Sequence, residues 1–174
     1  MNIQIELISE SDLADESFNI VINGLKPRET YRVEMYLTDY YCINAPMLLA
    51  HDVLWRSTGT FVSDKNGIID ISQTPSCSGS YEGISTMGLF FNAKPLTNER
   101  KKLPNSLSKI PLLDHFFLFI KIMQGNTVIA ERTFTRHYMS SQISHQDIYG
   151  KHFQGRLFYD KKAIKTPSID YCER

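Results

Sequence analysis

The sequence predicts an all-β fold, an antiparallel β-sandwich with a long irregular loop and a C-terminal tail. Three observations point there. Apolar residues recur with period two in short runs, so each run has one face to bury. Gly, Pro, Asn and Asp close those runs at short intervals. No stretch signals a helix longer than about three turns.

The first run places Ile3, Ile5 and Leu7 on one face, and the second does the same with Phe18, Ile20 and Ile22. Between them, Ser9-Glu10-Ser11-Asp12 and Asp15-Glu16 read as solvated turn material, and Asn23-Gly24-Leu25-Lys26-Pro27 closes the second strand. Thr30 to Asp39 alternates Val33, Met35 and Leu37 against Arg32, Glu34 and Tyr36, the pattern of a half-exposed strand. His51 to Val62 and Gly67 to Ser72 flank Asp64-Lys65-Asn66-Gly67, where Asn and Gly supply the positive φ of a tight reversal. A hairpin is expected there.

Pro75 to Leu107 is rich in Gly, Ser, Pro, Asn and Lys and reads as a long irregular connection, a kind of loop that usually has a role. Leu112 to Met123 is the most apolar segment, with helix as the competing reading. A central strand is favoured because Gln124-Gly125-Asn126-Thr127 offers a two-residue loop and Thr127 to His137 returns with Val128, Ala130 and Phe134 in alternation.

At 174 residues, with 42% apolar and 22% charged side chains, the chain suits one conventional domain plus a tail. Lys plus Arg and Asp plus Glu number 19 each, so no basic footprint for nucleic acid is present. Met1 to Glu6 lacks the opening of a signal peptide, and no run approaches the roughly 18 apolar residues of a membrane span. Cys42, Cys77 and Cys172 are widely spaced and read as free thiols, against a disulfide framework and a zinc site. The expectation is a soluble cytoplasmic protein with no membrane or nucleic-acid partner, no metal and no cofactor.

One stretch carries a family resemblance. Trp55-Arg56-Ser57 precedes Phe61-Val62-Ser63-Asp64, then Gly67-Ile68-Ile69-Asp70-Ile71, Gly79-Ser80-Tyr81-Glu82-Gly83 and Met87-Gly88-Leu89. That order resembles the N-terminal domain of the acyl-CoA thioester hydrolase and bile-acid-CoA:amino-acid N-acyltransferase family. It departs from the family at Phe90-Phe91, where a Trp often follows, and at the insertion-like Arg100, Lys101 and Lys102. The resemblance implies an immunoglobulin-like β-sandwich over residues 1–140. It also implies that 141–174 is a tail: His152 to Tyr159 resembles the opening strand of an α/β-hydrolase domain, and Pro167-Ser168-Ile169-Asp170 the approach to its next core strand. The expected partner is that hydrolase domain, which would supply a Ser or Cys nucleophile with His and Asp, and through it an acyl-CoA substrate.

This chain itself has neither Gly-x-Ser-x-Gly nor Gly-x-Cys-x-Gly, the elbow that lifts a nucleophile on a strand-to-helix turn. Ser80 follows Gly79 directly, outside that context, and Cys77 has no adjacent Lys, Arg or His to favour its thiolate. His51, His115, His137, His145 and His152 lack the spacing of a metal site on one helix face, and Asp114 and His115, as strand neighbours, point apart. Trp55 reads as core rather than ligand platform, and Lys94 to Lys109 as a solvated loop rather than a phosphate site. No catalytic residue is assigned. The hypothesised site is a wall facing the partner domain, made by Tyr81, Gly83, Met87, Gly88 and Leu89 within Tyr81 to Phe91, since clefts between domains commonly bind ligands. The alternative is a free-standing β-sandwich that binds a protein or small ligand.

Overall fold

The computed structural model describes residues 2–38, 54–96 and 115–163. The alternation becomes two antiparallel sheets. The smaller joins β1 (Gln4–Ile8), β2 (Asn19–Asn23) and β5 (Ile69–Asp70) in the order β1-β2-β5. In the larger, β3 (Thr30–Leu37) lies between β4 (Trp55–Val62) and β8 (His115–Gln124), and β9 (Thr127–His137) forms the next strand after β8. The outer edge of β4 carries two short strands, β6 (Ser78–Gly79) and β7 (Lys94–Pro95), with the one-turn helix α1 (Gly88–Phe91) between them. A separate hairpin, β10 (Ile143–Tyr149) and β11 (Gln154–Asp160), ends in a 3₁₀ turn, Lys161–Ala163.

The inward residues of both sheets form one core. Ile5, Ile20, Ile22 and Ile69 face Tyr31, Val33, Met35 and Leu37 of β3, Trp55 and Phe61 of β4, and Phe116, Leu118, Ile120 and Ile122 of β8. Each such side chain contributes about 1.5–3 kcal/mol by leaving water. The all-β sandwich of the sequence reading is therefore the observed architecture, and Trp55 is core. The strands expected at Ile3–Leu7, Phe18–Ile22 and Thr30–Asp39 and the central strand within Leu112–Met123 are present as β1, β2, β3 and β8. The Gly125-Asn126 loop joins β8 to β9 as expected. Of the long connection, the described part holds only two-residue strands and α1.

The hairpin expected around Asp64 to Gly67 is a different structure. The reversal is there: Asp64 Oδ1 accepts hydrogen bonds from Asn66 N and Ile68 N at 2.8 Å each, and Asp64 N donates to Ile68 O at 2.9 Å. Its flanking strands, however, go to opposite sheets, β4 to the large one and β5 to β2. Both edges of β4 are already taken, by β3 on one side and by β6 and β7 on the other, so β5 crosses the core and buries Ile69 and Ile71 from the opposite face.

A β-bulge controls the far edge. Met123 pairs with Val128 but Ile122 with Ala130, so Ile129 is the extra residue in β9. Beyond it Arg132, Phe134 and Arg136 turn inward, opposite Ile120, Leu118 and Phe116. Without the bulge, Glu131, Thr133 and Thr135 would take those places. Arg136 is 1% exposed. Its Nη1 donates to Ser9 Oγ at 3.0 Å and Ser11 O at 2.9 Å, and its Nη2 to Leu13 O and to Glu16 O at 2.7 Å. The guanidinium also stands 5.2 Å from the Phe18 ring centroid. Burial disfavours its charge, while Asp12, Glu16 and Asp15 on the same loop oppose that loss. Further along, Arg132 Nη1 reaches Ile5 O at 2.5 Å. These two arginines close the gap between the sheets at the β1–β9 side.

Replacing Arg136 by Met keeps apolar bulk but strands the Leu13, Ser11 and Glu16 carbonyls. Arg136→Met is expected to lower unfolding free energy by about 3 kcal/mol, against about 1 kcal/mol for Arg132→Ala, whose single bond is at the rim. Urea unfolding of the two variants checks the order.

Candidate functional site

The segment singled out for the wall begins where β6 docks on β4. Ser80 N donates to Thr58 O at 2.7 Å, Thr58 N to Ser80 Oγ at 2.9 Å and Cys77 N to Thr60 O at 2.8 Å. The Ser80 oxygen thus serves as an acceptor that holds a strand edge. The chain then folds back so that Ser76 and Gly83 exchange backbone hydrogen bonds of 2.9 Å. Gly83 closes that turn at φ +83°, the left-handed region that favours glycine, with open space where a Cβ would be.

The Tyr81 ring lies flat over Gly88: a Cβ on residue 88 would meet it at 2.5 Å. The hydroxyl of Tyr81 donates to Ser85 O at 3.4 Å, and burial pushes its phenol pKa up to about 12. Met87 Sδ accepts from Phe18 N at 3.4 Å, and α1 drives Leu89 and Phe90 into the core, Phe90 edge-on to Phe18 at 5.5 Å.

Of the five residues, Tyr81 packs on Gly88 while Gly83 faces open space, so they differ in what they present. Gly88 and Leu89 are buried, whereas Tyr81, Gly83 and Met87 are half-buried. The outward apolar surface of the segment comes from Ile84, 62% exposed, and Phe91, 56% exposed. Beside Met87, a shallow apolar groove of about 410 Å³ runs past Ile8, Phe18 and Thr86.

Sequence reasoning missed a polar cluster on the outer face of the large sheet. Glu34 receives Arg56 Nη2 at 2.7 Å and the Tyr36 hydroxyl at 2.8 Å, with Arg32 Nε 2.9 Å away. Burial pushes the Glu34 carboxyl up, but Tyr36, Arg56 and Arg32 together hold it below the usual carboxylate range. Asp70 behaves alike: burial raises it, and Asn19 and Ser72 bring it down. A concavity of about 640 Å³ lies beside the Glu34 cluster, lined by Tyr36, Thr38, Leu54, Phe119, Lys121 and Thr133 among others. The only trace of the cluster in sequence is the outward set Arg32, Glu34 and Tyr36. Arg56 joins it through the β3–β4 register, which pairs Tyr36 with Arg56.

The β10–β11 hairpin is apolar on both faces. Tyr149 and Phe158, 58% and 59% exposed, share one face with the Asp147–Arg156 ion pair of 2.6 Å, and the exposed Leu157 and Tyr159 share the other. Among the described residues, these two strands pair only with each other. The Pro167 to Asp170 expectation, Asp114, His51, Cys42, Cys172 and the basic residues from Arg100 to Lys109 lie outside the described residues.

The sequence profile described as the acyl-CoA thioester hydrolase/BAAT N-terminal region matches residues 15–149. The chain belongs to this family. Among curated relatives, mouse (Mus musculus) acyl-coenzyme A amino acid N-acyltransferase 2 is 24% identical over 173 residues, covering 97% of this chain and 39% of the relative. Mouse acyl-coenzyme A thioesterase 6 is 27% identical over 160 residues, covering 89% of the chain and 35% of the relative. Rat (Rattus norvegicus) mitochondrial acyl-coenzyme A thioesterase 2 is 21% identical over 155 residues, 89% of the chain and 32% of the relative. The chain thus spans between 32% and 39% of the length of these acyl-CoA thioester hydrolase and BAAT family members. Among the described residues, no helix is long and apolar enough to cross a membrane.

Two expectations follow from the geometry. Gly88→Ala drives a methyl into the Tyr81 ring and is expected to cost about 1–3 kcal/mol, more than Gly83→Ala, which meets only the left-handed backbone penalty of about 1 kcal/mol. Urea unfolding ranks them. Because the Glu34 carboxyl is depressed in the folded chain, its contribution is complete above the unfolded carboxylate value of about 4.3 and is lost as pH falls through the lower folded value. Glu34→Gln should therefore destabilise by about 1–3 kcal/mol at pH 7, with a gap to wild type that narrows below pH of about 4. Unfolding curves from neutral to acid pH measure both.

Proposed function

We propose that this chain is the non-catalytic N-terminal module of an enzyme that acts on acyl-CoA thioesters, packing on an α/β-hydrolase domain and helping to form the cleft that takes the acyl-CoA. The observation that carries this reading is the β10–β11 hairpin. A two-stranded hairpin is marginal in water alone, and exposed aromatic side chains on both of its faces call for further structure against them. The relatives' greater length supports the same reading, as does the resemblance of His152 to Tyr159 to the opening strand of a hydrolase domain. In this proposal residues 1–140 are the sandwich and 141–174 lead into the catalytic part. The chemistry is acyl transfer from the thioester, to water or to an amino-acid amine, the two activities that the relatives' names describe; lipid metabolism in the cytoplasm is its proposed setting.

The wall is proposed to be the surface around Tyr81, Gly83, Met87, Gly88 and Leu89. Leu89, Gly88 and Tyr81 anchor the segment on the core, and Ile84 and Phe91 present apolar surface toward the partner domain. The groove beside Thr86 gives that surface relief for an apolar chain or side chain.

With a long-chain acyl-CoA, the purified chain is expected to release no coenzyme A thiol; turnover abolished by Ser80→Ala or Cys77→Ala would overturn the reading. In a chain extended to the relatives' length, Ile84→Asp and Phe91→Asp are expected to lower thioester turnover or to open the junction to limited proteolysis. Both side chains are exposed here, so this module's own melting temperature should hold. Unchanged turnover and unchanged cleavage would contradict the wall.

A further inference from the structure

The outer face of the large sheet carries a row of side chains that neither the wall nor the hairpin uses. Strand register sets Tyr36 of β3 beside Phe119 of β8, and Phe119 beside Thr133 of β9. One step along the strands, Glu34 stands beside Lys121 and Lys121 beside Glu131. In the other direction Phe117, 36% exposed, extends the aromatic surface, its ring centroid 6.1 Å from that of Phe119. The concavity of about 640 Å³ lies on this row, with the exposed Leu54 also bordering it. Small-molecule sites commonly enclose about 300–1,000 Å³.

The hollow is apolar along Tyr36, Phe119 and Leu54 and charged at the Lys121 end. Arg32 and Arg56 both turn to Glu34, at 2.9 Å and 2.7 Å. The Lys121 ammonium instead stands 5.6 Å from the Tyr36 ring centroid and 3.8 Å from Glu131, beyond hydrogen-bond reach of a carboxylate that is itself 69% exposed. Three cations, Arg32, Arg56 and Lys121, thus face two carboxylates, Glu34 and Glu131. One positive charge is in excess, and among the described residues Lys121 has no hydrogen-bond acceptor. A half-buried ammonium at the end of an apolar hollow favours an anionic head group there, and a single excess charge suits a monoanion.

We propose that this hollow binds a small amphipathic carboxylate, with its apolar body against Phe119, Tyr36 and Leu54, its carboxylate on Lys121 and the Thr133 hydroxyl as a second donor. A rise of about 3.4 Å per residue sets Lys121 about 7 Å along β8 from Phe119, so a short acyl chain reaches over the ring while its head meets the ammonium. Binding rests on residues of the sandwich alone and not on the thioester reading. If that reading also holds, the acid released from an acyl-CoA has this chemistry, and the module would carry a product site on its outer face.

The test is a titration of the isotope-labelled chain with octanoate, followed by amide resonances. Saturable shifts at Phe119, Lys121 and Thr133 are expected, with a dissociation constant of about 1 mM or tighter. Magnetisation transfer from the octanoate chain to the Phe119 ring should accompany them, a readout on the unaltered chain that no variant's folding can disturb. Lys121→Gln, which removes a partly exposed charge, should weaken binding at least about tenfold, and added salt should weaken it as well. Octylammonium, with the same chain and the opposite charge, should not bind in the hollow. Phe158→Ala, on the separate hairpin, should leave the affinity for octanoate unchanged. No saturable shift, shifts confined to the β10–β11 hairpin or to the groove beside Thr86, equal binding of octylammonium, or binding indifferent to Lys121→Gln would each overturn the site.

Discussion

One extra residue in β9 decides how this sandwich closes. By inserting Ile129 against the β8 ladder, the bulge turns Arg132, Phe134 and Arg136 inward and sends Glu131, Thr133 and Thr135 out. Arg136 then satisfies acceptors along the β1–β2 loop that would otherwise be left without donors against the core. A buried charge is costly unless it is hydrogen-bonded, and here the loop supplies acceptors to both terminal nitrogens, three backbone carbonyls and the Ser9 hydroxyl, while Nε has no partner. The sheet edge and the loop therefore specify each other: without the bulge the guanidinium would face solvent, and without the guanidinium the loop would keep only the backbone bonds of Asp12 and Ala14 to His137.

This closure also fixes the surfaces of interest. The same loop leads into β2, whose first neighbour Phe18 meets Phe90 of α1 and gives its amide to Met87. The segment from Tyr81 to Phe91 is thus anchored on a side of the core that depends on β2 being in register. Rigid anchoring by Leu89, Gly88 and Tyr81, with Ile84 and Phe91 left outward, is the arrangement expected of a docking surface carried on a stable scaffold. The β10–β11 hairpin contrasts with it, having no third strand among the described residues and apolar side chains on both faces.

Much of this was legible in the sequence because strand periodicity and turn chemistry are local. Ile5, Ile20, Ile22, Val33, Met35 and Leu37 alternate without interruption, and Gly125-Asn126 marks its own loop. What escaped the reading depended on pairing across distance. Asp64 to Gly67 does reverse the chain, but only the occupied edges of β4 send β5 to the other sheet. Val128 and Phe134 look like one face by parity, and the bulge between them puts Val128 outside and Phe134 inside. Arg136 sits in a strand as polar as its neighbours, so nothing local marks it as buried. Likewise Arg56 belongs with Glu34 only once β3 and β4 are aligned. The stretch from Tyr81 to Leu89 stands out by its compact motif, whereas which of its side chains face outward is a matter of how α1 packs.

Native-state hydrogen exchange on this chain tests the central account most directly, because it reads closure and hairpin in one experiment. The account predicts that the amides of Ala14 and His137, which bridge loop and sheet, open together with β3, β8 and β9 in the slowest-exchanging unit, while the β10–β11 amides exchange far faster and independently. A β1–β2 loop that exchanges freely while the large sheet stays protected, or a hairpin as protected as the core, would contradict it.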